Sequence, residues 1–81
     1  MRPTAWKTPI KIENPETGVI RTVKTIREAK TALDRFWPAY HGSQHHRAEE
    51  VCEAALRGRS DTGEARRAFI AAAVEAHFHI Q

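Results

Sequence analysis

Apolar positions along the chain follow two different periods. From Trp6 to Ile12, Trp6, Thr8, Ile10 and Ile12 alternate with Lys7, Pro9, Lys11 and Glu13, the period-two pattern of a strand with one buried face. Pro9 has no N–H to give to a ladder, so its side of the strand should face solvent or an edge. Asn14-Pro15-Glu16-Thr17-Gly18 has turn chemistry, with proline presetting φ and glycine accepting a left-handed conformation. Val19 to Val23 then returns as a second strand. Its inner face is ambiguous, because Val19, Arg21 and Val23 compete with Ile20 and Thr22. A hairpin over about 6–24 is expected.

After Thr25 the period changes to that of a helix. Thr25 and Glu28 stand at capping-box spacing, and Ile26, Ala29, Leu33, Phe36 and Trp37 form one apolar stripe. Pro38 disfavours helical dihedrals at its predecessor, so this helix should span about 25–37. A second helix, about 43–57, starts at a plausible Ser43 cap. It carries Ala48, Val51, Cys52, Ala55 and Leu56 inward, with His46, Glu49, Glu50, Glu53 and Arg57 outward. Glu53 and Arg57 make a favourable i,i+4 pair, and Gly58 stands where a C-terminal glycine belongs. A third helix, about 62–77, follows the linker Arg59-Ser60-Asp61. Ala65, Phe69, Ala72, Ala73 and Ala76 share one face, while Ile70, Val74 and Phe78 make a second stripe roughly opposite. A helix apolar nearly all round is buried on both sides. Either the hairpin covers one side and the first two helices the other, or a second subunit does. Phe78 to Gln81 can leave the helix as an extended tail. The expected fold is α+β of order ββααα, a single small domain, with Leu33, Trp37, Cys52, Leu56 and Phe69 meeting in its core.

Composition narrows the picture. Thirteen of the 81 residues are alanine, so the core rests on few large side chains and close backbones. A chain this short buries roughly 60–65% of the surface its unfolded form exposes, and modest stability follows. A net charge of +3 tolerates an anionic partner without specifying one. Cys52 is the lone cysteine and has no internal disulfide partner, so no oxidising compartment is required. Met1 to Ile10 lacks the apolar core of a signal peptide and no stretch has the length of a membrane span, so a cytoplasmic location is expected.

Taken in order, the features resemble a known family. Trp6 with Pro9 opens the first strand and Trp37-Pro38 closes the first helix. Ala48 and Cys52 lie in the second helix, Gly58 follows it, and Ala65-Arg66-x-x-Phe69 with an alanine-rich finish forms the third. This is similar to the bacterial domain-of-unknown-function family 982 over nearly the whole chain. The resemblance implies a short bacterial protein and carries over no activity, cofactor or functional residue.

Candidate chemistry is thin. His41, His45 and His46 cluster at the start of the second helix, with His77 and His79 near the C-terminus. His41 and His45 would need Cys52 or His77 to complete a metal set. But Cys52 lies on the apolar stripe, and adjacent helical residues such as His45 and His46 diverge by about 100°, so no closed ligand set can be drawn and solvated or capping histidines are expected. No cofactor is expected. Ser43 and Ser60 look like caps, and Cys52 has no base beside it, so catalysis is not expected. Helices two and three superficially resemble a helix-turn-helix pair, with Arg66 and Arg67 near the start of the second member. Arg21, Lys24, Arg27 and Lys30 would form a basic strip, though Lys30 also has Asp34 as an i,i+4 partner. Weak, mainly electrostatic nucleic-acid binding is therefore the alternative function. The leading expectation is a non-enzymatic interaction or regulatory protein that binds protein or self-associates. Its candidate surface is Trp6, Tyr40, Ile70, Val74 and Phe78, and a homodimer would form through helix three or a hairpin edge.

Overall fold

The computed structural model of the chain describes residues 5–38 and 42–80. Strands β1 (Ala5–Glu13) and β2 (Ile20–Thr25) form an antiparallel hairpin. Helices α1 (Ile26–Arg35), α2 (Ser43–Leu56) and α3 (Thr62–Glu75) follow, and a short strand β3 (His79–Ile80) returns to the sheet. The expected α+β fold, a hairpin followed by three helices in one small domain, is what forms. The extended tail is a strand in its own right. Strand order β2-β1-β3 makes β1 central, with Ile12 opposite Ile80 and Glu13 opposite His79. Pro9 is tolerated in this central strand because β3 reaches only residues 12 and 13, and the β1–β2 register is irregular between Ala5 and Ile10.

The turn closes as its residues dictate. The Asn14 side-chain oxygen accepts from the Glu16 and Thr17 N–H groups at 2.8 and 3.2 Å, and Gly18 takes φ +74°. Ile10 faces Val23 and Ile12 faces Arg21 across the ladder. The ambiguous second strand therefore turns Arg21 and Val23 to the helix side, and Ile20 to the open face of the sheet.

At α1 the capping box forms with a longer reach. Glu28 N–H donates to Thr25 Oγ1 at 3.1 Å, while the Glu28 carboxylate accepts from Lys24 N–H at 2.8 Å. The helix ends at Arg35, two residues earlier than expected, so Phe36 leaves the apolar stripe and is exposed. Ser43 does not cap α2. Gly42 is the N-cap residue, without a side-chain bond, and Glu75 from the end of α3 accepts from the Gln44 and His45 N–H groups at 3.2 Å each. A Cβ on Gly42 would collide with that carboxylate, so a side chain there would push the end of Glu75 aside. Asp61, rather than Ser60, caps α3 by accepting from the Gly63 and Glu64 N–H groups.

Trp6, Ile10, Ile12 and Val23 of the sheet meet Ile26, Ala29 and Leu33 of α1, Ala48 and Cys52 of α2, and Ala65, Phe69 and Ala72 of α3 in one buried cluster. Of the expected core, Leu33, Cys52 and Phe69 are fully enclosed, while Trp37 and Leu56 are half-buried against them. Trp37 is a junction, its ring 5.6 Å from Phe69, 4.5 Å from Phe78 and 5.7 Å from His45. The alanine faces of α2 and α3 let these helices approach closely, which suits a small domain with few large side chains.

Candidate interaction surface

Of the five residues expected to form an interaction surface, the four described do not lie together. Trp6 is buried beside Phe69 and donates its Nε1–H to the Thr62 carbonyl at 2.9 Å, so it pins the hairpin to the start of α3. Phe78 is buried as well. The backbone turns left-handed at His77 (φ 65°), and Phe78 N–H donates to the Ala73 carbonyl, which carries the ring under Trp37. The second apolar stripe of α3 is thus broken: Phe78 is not on the helix, Ile70 is half-buried against the core, and Val74 alone stands out. Tyr40, together with His41, lies outside the described residues.

The basic strip is split in the same way. Lys30 is bound by Glu53 of α2 rather than by Asp34, and that carboxylate holds its ammonium above the ordinary value. Arg66 reaches back to the Thr8 carbonyl at 3.4 Å, and Arg67 stands apart near Glu64 and Gln44. Arg21 and Arg27 line one depression between β2 and α1, which Lys24 does not join. The Arg21 guanidinium lies 3.3 Å from the centre of the Phe36 ring, close enough for a cation–π contact.

Two depressions meet at that Arg21–Phe36 pair. One, of about 540 Å³, opens at the turn end of the sheet among Ile12, Val19, Arg35, Trp37 and Phe78. The other, of about 440 Å³, runs between β2 and α1 past Thr22, Thr25, Arg27 and Thr31. Among the described residues, five large apolar side chains are exposed: Val19 at 62%, Ile20 at 54%, Phe36 at 41%, Ile80 at 39% and Val74 at 60%. Val19 and Phe36 line the depression at the turn end, Ile80 pairs with Ile12 in the neighbouring strand, and Ile20 lies on the open face of the sheet. Sequence reasoning missed Phe36 and Arg35. Its only hint was Pro38, which stops the helix early enough to swing Phe36 outward.

The described histidines and the thiol take ordinary structural roles. His45 is not solvated but buried. Its Nε2 donates to the Leu33 carbonyl at 2.8 Å, since a carbonyl can only accept, and Nδ1 lies 3.3 Å from Glu49. His46 pairs with Glu50 on the surface, and His77 and His79 are exposed. Cys52 is fully enclosed, and burial pushes its thiol up to about 11, far from a reactive thiolate at neutral pH. Among the described residues no group of three or more His, Cys, Asp or Glu side chains is placed to hold a metal ion, and no helix is long and apolar enough to cross a membrane.

A family model described as protein of unknown function (DUF982) matches residues 8–80. The chain belongs to that family. Within this DUF982 chain the match runs from the first strand to the last, so it includes both depressions and the Arg21–Phe36 pair. No curated protein and no solved structure matches it.

Proposed function

We propose that this DUF982 protein is a non-enzymatic binding module that docks a protein partner on the turn end of its sheet. One observation carries the reading: Val19 and Phe36, both exposed, share a single depression with Ile12, Trp37 and Phe78. Exposed apolar residues scattered singly are ordinary, whereas a contiguous patch marks a surface that binds something. Two arginines, Arg21 and Arg35, border it, matching the aromatic and Arg-rich character of protein interfaces. The proposed setting is the bacterial cytoplasm, where a lone thiol stays reduced.

The experiment compares affinity capture from host extract on the immobilised chain and on Val19→Asp, with melting temperatures measured beside it. A protein held by the parent and lost on an equally stable Val19→Asp chain supports the reading. Equal capture on both overturns it. Light scattering of the parent identifies the case in which the captured partner is a second copy. Retention of nucleic acid that collapses as salt rises would favour the electrostatic alternative carried by Arg21, Lys24 and Arg27.

A further inference from the structure

We propose that the free edge of β2 receives an acidic, extended segment of the partner as an added strand. This rests on the protein-binding reading above and gives the partner its chemistry.

Among the described residues, the sheet order leaves β2 with β1 on one side and no strand on the other. Which backbone groups face the open side follows from two contacts. The Val19 carbonyl accepts from Asn14 N–H at 2.9 Å, toward β1, whereas Lys24 N–H donates to the Glu28 carboxylate on the far side. Backbone direction alternates along a strand, so Ile20 and Thr22 present their N–H and C=O groups to the open edge. Glu28 occupies the position at Lys24 and closes one end, which sets the stretch available for pairing. Alternating donors and acceptors match a peptide backbone, while a phosphate backbone offers acceptors alone.

Charge selects the segment. The depression alongside the edge is lined by Arg21, Thr22, Arg27, Glu28, Thr31 and Phe36 among others, and every second side chain of an added strand would descend into it. There it meets two guanidiniums. Among the described residues no carboxylate lies within ion-pair distance of Arg21 or Arg27, and the nearby Glu28 carboxylate is engaged by Lys24 N–H. Carboxylates are the side chains that fit. The same charges disfavour a second copy, since antiparallel self-pairing of this six-residue strand brings both Arg21 side chains onto one face of a short ladder and both Lys24 side chains onto the other.

The probe is a short fluorescent peptide alternating valine and glutamate, titrated by anisotropy at low salt. Three controls accompany it: the same peptide with lysine for glutamate, the acidic peptide with alternate valines replaced by proline, and an oligothymidylate. The acidic strand peptide should bind, and Arg27→Glu, an exposed change on the first turn of α1, should weaken it by about tenfold or more. Thr22→Pro should abolish binding, because proline removes an outward N–H of an edge strand without touching the β1 ladder. Should Thr22→Pro lower the melting temperature, Arg27→Glu alone decides. The proposal is overturned by absence of binding at about millimolar protein or by equal binding of the lysine or proline peptide. Displacement by oligothymidylate, or an Arg27→Glu chain that binds unchanged, overturns it too. If the acidic peptide fails while Val19→Asp still loses its captured partner, the strand addition falls and the protein-binding reading stands.

Discussion

Helices α2 and α3 end in the same backbone device built on different residues. After α2, Gly58 N–H donates to the Ala55 carbonyl and Arg59 N–H to that of Ala54, with Gly58 at φ +79°. After α3, His77 N–H donates to Val74 and Phe78 N–H to Ala73, with His77 at φ +65°. Both are Schellman endings. Glycine adopts the left-handed conformation freely, but for an L-residue it costs roughly 1–2 kcal/mol. The α2 ending is therefore stable through its own glycine, and Arg59 beyond it is exposed. The α3 ending is held from outside: Phe78 is buried against Trp37, and His79 and Ile80 pair with β1. One turn is specified locally, the other by the tertiary structure it serves.

The comparison breaks most readily at Phe78. Phe78→Ala should cost about 3–5 kcal/mol, as removal of a buried ring does, whereas Arg59→Ala, its counterpart after α2, should stay within about 0.5 kcal/mol. Chemical denaturation of the pair measures this, and equal stabilities would show that the α3 turn needs no anchor. Next comes Gly58→Ala. The added methyl meets no atom within 4 Å, so the expected loss of about 1–2 kcal/mol is purely conformational, readable as a drop in melting temperature. The reverse change, His77→Gly, should raise stability by about 0.5–1 kcal/mol, the relieved strain being partly offset by the freedom glycine gains when unfolded. A loss of stability instead would reveal a contact of the imidazole that outweighs the strain.

The smallest effect is electrostatic and sits one turn before Gly58. Glu53 bonds Lys30 of α1 and Arg57 of its own helix, and the Lys30 hydrogen bond first, then the two positive charges, hold its carboxyl below the ordinary value of 4.5. A depressed carboxyl stabilises the fold above its unfolded pKa and loses that contribution as pH falls through the folded value. Glu53→Gln should thus melt slightly lower than the parent at neutral pH. The two curves should converge in acid below 4.5, and added salt should shrink the gap.

What could be read from the residues divides along the same line. Thr25 with Glu28, the Asn14–Gly18 turn and Gly58 carry their own hydrogen-bonding chemistry within a few positions, and each forms as expected. The α1 stripe identified Leu33 because it lies squarely within the helix, and misplaced Phe36 because the helix stops one residue before it. Phe78 could be read either as a helical face residue or as the start of an extended tail, since the left-handed turn that decides between them falls on a histidine rather than a glycine. His45 looked solvated because its partner carbonyl, Leu33, belongs to another helix. The surface suffered most. Arg21 could be assigned to neither face by alternation, and its place over Phe36 depends on where α1 ends.

The carboxylate of Glu75 has a consequence for how the molecule breathes. It sits in the last residue of α3 and bonds the first-turn amides of α2, 31 and 30 positions away in sequence. Fraying of α3 therefore strips α2 of its cap, so the two helix ends open as one cooperative unit. Amide exchange at Gln44 and His45 becomes a reporter on the order of a helix to which neither residue belongs. A side chain at Gly42 would shift the carboxylate from its present place and loosen that coupling.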